Sequence, residues 1–375
     1  MTNDSERQPT VAPNLAGVRV LEGDNPFGLA PEEDFLAEPQ HDSALWSETM
    51  FFLIWSPEQA VGFWLHVGVV PEDKTMWWAQ TYAMLPEGVV LVDRSFGRSS
   101  DRFGPETGNL KIKCTEPHKK WRLTFDGAGE VSSTSDLAKR VVGAGVAAPF
   151  SFDVELEALV PVYDMHAAMG KEIDWDVGQM HQEQGSLARG SMSAMGQTWS
   201  IDGVAIRDHS RGERHFGKWG GHVWTYAVWP ESRRALGVIN LWLPTMEPLA
   251  SVVMIMENGR TEISHDFKLT GMAEPGGKPN DVELRIVRVD GSETIITGDV
   301  LHNVTMTYVE PNHNLNGVYI DPREGLDATI ADESAVRWVW PDGEVGYGNF
   351  ERGFRPSCLP RIDIPLPPSS KYYSK

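Results

Sequence analysis

Apolar and polar residues alternate with period two along much of this 375-residue chain. In "PFSFDVELEALVPVY", residues 149–163, Phe150, Phe152, Val154, Leu156, Ala158 and Val160 fall on even positions, while Ser151, Asp153, Glu155 and Glu157 take the odd ones. Successive side chains of a strand point to opposite faces, so this pattern predicts a half-buried antiparallel strand. "NLKIKC" repeats it with Leu110, Ile112 and Cys114. "WRLTF" does so with Trp121, Leu123 and Phe125, and then runs into Asp126-Gly127, which reads as a turn. In "DVELRIVRVDGSETIITG" the alternation through Val282, Leu284 and Ile286 changes phase at Val287 and Val289, which predicts a bulge leading into a hairpin at Asp290-Gly291.

Helical periodicity is scarce. "TSDLAKRVVGAGVAAP" predicts at most a short helix after Ser135 or Asp136 as N-cap, because its glycines oppose a longer one. Strands punctuated by 36 glycines and 25 prolines predict an all-β protein of sandwich or barrel type. The length suits two domains. Alternation stops and polar residues accumulate in "HAAMGKEIDWDVGQMHQEQG", residues 166–185. The expected division is therefore an N-terminal extension at 1–40, a first β domain at 41–180, a second at 181–366 and a Pro/Ser-rich tail at 367–375.

Charge narrows the partners. Asp and Glu number 53 against 33 Lys and Arg, a net charge of −20, which repels phosphate backbones and anionic membrane surfaces. Nucleic acid is thus excluded as an expected partner, and a hydrophobic small molecule fits better. A homodimer is left open by the sequence. No stretch approaches the roughly 18 apolar residues of a membrane span, and the first forty residues lack the basic start and apolar core of a secretion signal, so a cytoplasmic location is expected. Cys114 and Cys358, far apart in sequence, read as reduced structural thiols. Asn303, in "NVT", means little as a glycosylation site without a secretion signal.

The densest chemistry lies in "RDHSRGERHFGKWGGHVW", residues 207–224. On a strand, Arg207 and His209 would share one face and Asp208 and Ser210 the other. An acid enclosed near arginine or tryptophan has its pKa pushed up by desolvation and down by the cation, a balance that can produce a general acid or base. The plainer reading is an Asp-Arg pair fastening strands, with His209 a satisfied core histidine. His209, His215 and His222, even with Asp208 and Glu213, lack a compact ligand pair, so no metal is expected. A bulge at Gly212 is expected to separate His209 and His215. The chain's 14 tryptophans read mainly as core, although indole faces also line apolar pockets and stabilise cations.

Residues 181–214, "HQEQGSLARGSMSAMGQTWSIDGVAIRDHSRGER", and 336–354, "VRWVWPDGEVGYGNFERGF", resemble the carotenoid 1,2-hydratase (hydroxyneurosporene synthase) family. The strand succession of residues 42–84 is also similar to that family's first domain. The resemblance implies two tandem lipocalin-like antiparallel β-barrels with few short helices, a pocket bordered by both, and no cofactor. It further implies protonation of an isoprenoid double bond, with water or an internal alkene capturing the cation. Arg207, Asp208, His209, Ser210, Gly212 and Arg214 match its RDHS-x-G-x-R core, and Glu183 with Gln184 matches an upstream pair; Arg211 stands where the family has Trp. By this analogy Asp208 is the proton donor or acceptor, His209 its partner or the group that positions water, Arg207 and Arg214 set the charge, and Glu183, Tyr347 and Glu351 supply a second acid, a hydrogen bond or structural anchoring. Trp78, Trp219, Trp224, His222, Tyr347 and Glu351 are the expected substrate contacts.

The expected function is a cofactor-independent lyase or isomerase, of hydratase, dehydratase or cyclase type. It would act on an isoprenoid, terpenoid or steroid-like alkene by proton transfer in a barrel cavity. A non-catalytic carrier of a hydrophobic ligand and a carbohydrate-active protein with paired carboxylates are the alternatives.

Overall fold

The computed structural model describes residues 19–43, 46–139, 145–169, 179–213, 219–270, 282–307, 329–355 and 357–358. Strand β1 (Arg19–Glu22) is followed by a 3-10 turn at Pro31–Asp34. The first sheet then comprises β2 (Trp46–Ser56), β3 (Val61–Val70), β4 (Asp73–Met84), β5 (Val89–Gly97), β6 (Leu110–Glu116), β7 (Lys120–Ser133), β8 (Ala147–Ala158), β9 (Tyr163–Asp164), β10 (Met180–Ala194) and β11 (Gln197–Glu213). The second comprises β12 (Gly221–Trp229), β13 (Arg234–Trp242), β14 (Pro248–Glu257), β15 (Arg260–Ser264), β16 (Phe267–Leu269), β17 (Val282–Val287), β18 (Glu293–Thr307), β19 (Ile330–Val339) and β20 (Val345–Phe354), with β1 added beyond β15. The protein is all-β and antiparallel, and the helices α1 (Thr134–Ala138) and α2 (Met165–Met169) are short. Among the described residues no helix is long and apolar enough to cross a membrane.

In the first sheet the order β11-β2-β3-β4-β5-β7-β8-β10 returns to β11, closing an eight-stranded barrel. A barrel of this size is wide enough either to be filled by side chains or to hold one small ligand. Met50, Phe52, Phe63, Trp121, Phe125 and Phe152 fill it. The second sheet encloses its own core, with Trp229, Trp338 and Phe350. A third core, including Phe51, Trp64, Trp224, Tyr226, Met254 and Met306, lies between the two sheets. Contact there is close: a Cβ on Gly185 of β10 would stand 2.0 Å from Val228 Cγ1 of β12.

The strand pair β10–β11 belongs to the first barrel, so the exchange of sheets falls between Glu213 and Gly221. The N-terminal residues serve both sheets: β1 extends the second, and the Pro31–Asp34 turn puts Asp34 against Arg207 inside the first.

Three local expectations are corrected. The Asp126-Gly127 turn is absent, and β7 runs straight through it. The glycine there relieves crowding where the strand passes from β6 to β5 as partner: a Cβ on Gly127 would meet Asn109 Nδ2 at 2.9 Å and Phe125 Cζ at 3.0 Å. The N-cap of α1 is Ser133, whose hydroxyl accepts from the Asp136 N–H at 3.1 Å. The bulge expected at Gly212 does not form, since Gly212 stays in register with Ser47; beyond β17, which pairs with β18 in unbroken register to Val287↔Glu293, the chain reverses at Asp290-Gly291 as expected, with Gly291 at φ 85°. Gly212 instead serves through its positive φ of 120°.

Candidate active site

The alternation of β11 divides the RDHS run between two environments. Arg207 and His209 point into the closed barrel. The Arg207 guanidinium bonds Asp34 Oδ1 at 2.8 Å and Gln184 Oε1 at 2.9 and 3.1 Å, and lies 5.0 Å over the Trp121 ring. His209 Nε2 is 2.8 Å from Glu48 Oε1. Burial pulls the Asp34 carboxyl upward, but the Arg207 charge and the His118 N–H outweigh it and leave its pKa lowered. Burial lowers His209 despite Glu48.

Asp208 and Ser210 point the other way, into the layer between the sheets. A row crosses the first sheet on this face, in which Tyr163, Glu183, Asp208, Phe51 and His66 are successive cross-strand partners. Ser210 Oγ is 2.8 Å from His181 Nδ1, while His181 Nε2 is 3.0 Å from Glu183 Oε1 and 3.9 Å from Asp208 Oδ2.

The second sheet presents a matching row. Glu333 on β19, Glu351 on β20 and Trp224 on β12 are successive partners. The Trp224 indole N–H donates to Glu183 Oε1 at 2.9 Å, bonding the two sheets directly. His222 Nε2 bonds Glu351 Oε1. Phe51 meets the Trp224 ring edge-on at 4.9 Å.

Four carboxyls, of Glu183, Asp208, Glu333 and Glu351, thus share one aromatic layer, each no more than 9% exposed. Desolvation cannot tolerate that many charges. Burial first, then Glu351 and Asp208, push Glu333 well above the ordinary carboxylate range, and it shares a hydrogen bond with Glu351. Glu333 is therefore held toward its protonated, proton-donating form. Burial, followed by the Glu183 charge, also raises the hydroxyls of Tyr163 and Tyr226, keeping them as neutral donors.

Of the sequence-derived candidates, Asp208, Glu183, Trp224, His222 and Glu351 come together here. Trp78 lies in the same layer, 5.3 Å from the His66 ring, and Trp219 is 5.7 Å from the His222 ring. Tyr347 lies farther along β20, in the lining of a separate cavity. Arg207 and His209 are divided from Asp208 by the barrel wall and form no site with it. Arg214 lies outside the described residues, as does His215. Arg211 turns to Glu33 and Met180, donating to the Glu33 carbonyl at 3.0 Å, and so does not take up a place beside Asp208. Aromatic side chains fill the first barrel's interior, and the buried carboxyls face the layer between the sheets instead.

Residues 30–354 match the family model described as a domain of unknown function, DUF7064. The chain belongs to this family. No curated protein sequence matches it. Among solved structures, this DUF7064 protein is similar to an AttH-like protein from Nitrosomonas europaea, with TM-score 0.54 and 13% identity over 84% of this chain and 96% of that one. Kievitone hydratase from Nectria haematococca overlays at TM-score 0.48 and 11% identity, covering 90% of this chain and 99% of its own. CghA overlays at 0.47 and 11%, covering 90% and 98%. At such identities the likeness bears on the fold alone.

Glu333 and His181 were missed by sequence reasoning. The available signal was the polar triplet Asp332-Glu333-Ser334 inside a strand whose other residues, Arg337 apart, are apolar. His181 sits one turn of alternation before Glu183, on the same face of β10.

Proposed function

We propose that this protein is a cofactor-independent hydratase or related lyase or isomerase, protonating a carbon–carbon double bond of an apolar substrate held between its two sheets. The observation that carries the reading is Glu333, a buried carboxyl held toward its neutral form among aromatic rings. Substrate would sit against Phe51, Trp64 and Trp224. The Glu333 O–H delivers its proton to one alkene carbon, and the π pair becomes the new C–H bond. The cation left on the adjacent carbon faces indole and phenyl rings, which stabilise positive charge. Water then adds through oxygen to that carbon, and its surplus proton passes to Asp208, with His181 beside it. Alkene and water combine to an alcohol, and the same steps reversed give dehydration.

Glu351 and His222 form the route by which Glu333 is reprotonated. Loss of a proton from the cation in place of water capture gives an isomer, and attack by an internal alkene gives a ring. The motif resemblance to carotenoid 1,2-hydratases favours isoprenoid, terpenoid or steroid-like alkenes. Cleavage of sugars is disfavoured, since its carboxylates must flank an open groove and these are buried.

The test is incubation of purified protein with a lipid extract of its host in heavy water, followed by mass spectrometry. A species that gains carbon-bound deuterium with the unmodified chain and not with Glu333→Gln is the expected result. Incorporation undiminished in Glu333→Gln would sink the assignment of the acid. No incorporation in any species, with a lipid retained by the protein, would leave a carrier.

A further inference from the structure

A cavity of about 1040 Å³ opens at one end of the layer between the sheets, away from the carboxyl cluster. Its walls come from both sheets: Trp55 of β2, the turn at Pro86–Gly88 and helix α1 on one side, and Leu301, His302, Arg337 and Tyr347 on the other. Two of its lining residues, Lys139 and Arg337, are permanent cations, and Glu87 is the acidic one. That balance is the reverse of the chain's, which carries 53 acidic residues against 33 basic ones. Among the described residues Arg337 makes one side-chain hydrogen bond, an ion pair of 3.3 Å from Nη1 to Asp299 Oδ2, which leaves its other N–H donors unused. Lys139 makes no ion pair among the described residues. Around these cations the wall is apolar and aromatic, and the Trp55 and His302 rings are 6.3 Å apart.

We infer that this cavity binds the anionic end of an amphipathic ligand, a carboxylate carried on a hydrocarbon body. A guanidinium with unused N–H donors fits a carboxylate, and the neighbouring aliphatic and aromatic surface fits the first carbons of a chain. Resting on the proton-transfer reading above, the same geometry sets a length. Arg337 and Tyr347 are cross-strand partners, as are Glu333 and Glu351, and the two pairs are separated by four residues on each strand, on one face. At about 3.3 Å per residue the separation is roughly 13 Å. A substrate anchored at Arg337 therefore presents to Glu333 a double bond roughly 13 Å from its carboxylate.

Calorimetric titration of the full chain with dodecanoate, dodecanol and dodecylammonium tests the anchor separately from the chemistry. Dodecanoate is expected to bind at least about tenfold more tightly than dodecylammonium, with dodecanol between. The double variant Lys139→Gln, Arg337→Gln is expected to lose that selectivity and keep its dodecanol affinity. Both side chains lie at the surface, and an unchanged melting temperature verifies the fold. Equal binding of the three probes, binding of none, or selectivity that persists in the variant overturns the inference. Selective dodecanoate binding without deuterium incorporation from any lipid would leave the anchor standing and remove the catalytic reading; incorporation with no preference for the carboxylate would do the opposite.

Discussion

Glu333 stands directly opposite Glu351 on the neighbouring strand, with both carboxyls buried between the two sheets. A pair so placed cannot hold two charges cheaply, and the proton it retains is the chemical resource of the layer. Replacing Glu333 by Gln keeps the shape and removes that proton. Turnover is expected to fall by about 10²- to 10⁴-fold, the usual contribution of a positioned acid, measured as initial rate once a substrate is in hand.

The same group gives a stability signature. The native value of Glu333 is raised above its ordinary 4.5, so its stabilising contribution is complete below that value and is lost as pH rises through the native one. Thermal melts from pH 5 to 9 should show Glu333→Gln gaining on the unmodified chain as pH rises. A constant difference across that range would show that Glu333 does not change protonation there.

Arg207 and Asp208 are neighbours in sequence with opposite duties. Arg207→Met strands Asp34 inside the barrel, and removing one partner of a buried pair costs about 3 to 5 kcal/mol. Asp208→Asn, on the outer face, should leave denaturant stability within about 1 kcal/mol and act on turnover. Urea midpoints of the two variants make the comparison, and equal losses would contradict the division of faces.

Acid sensitivity should map to the barrel interior. His209 is buried with its pKa lowered below 6.5, so the stability it lends is present above 6.5 and is lost as pH falls through its native value. Asp34, also lowered, adds a second loss below 3.8. A His209→Gln chain should show a flatter melting profile immediately below pH 6.5 than the unmodified chain.

The bond from Trp224 to Glu183 ties sheet to sheet. Trp224→Phe is expected to cost about 1 to 3 kcal/mol, since a buried acceptor loses its donor. A double-mutant cycle with Glu183→Gln isolates that bond, and a coupling energy near zero would mean the sheets are held by apolar contact alone.

Much of the fold was legible because period-two alternation survives where one face of a strand is wet, as in β8, where Phe150, Phe152, Val154 and Leu156 are buried as expected. It failed where both faces are covered. Every residue of β12 is buried, one face in the second core and the other against the first barrel, so no alternation marks which side holds His222 and Trp224. The RDHS run showed that Asp208 and Ser210 share a face, but only the opposing sheet decides that this face is the enclosed one. Glu333 was hidden for the same reason: Asp332, Glu333 and Ser334 look like a polar turn until β19 is seen with a sheet on either side. Asp126-Gly127 misled in the opposite sense, because glycine there answers crowding by Asn109 and Phe125 rather than reversal of the chain.

A strand with two enclosed faces separates two kinds of inheritance. On β11, changes at 205, 207 and 209 are judged by whether the barrel still folds, whereas changes at 204, 206, 208 and 210 are judged by what the layer between the sheets accepts. Descendants of such a chain can exchange one ligand for another by drifting at alternate letters, with the architecture beneath left untouched.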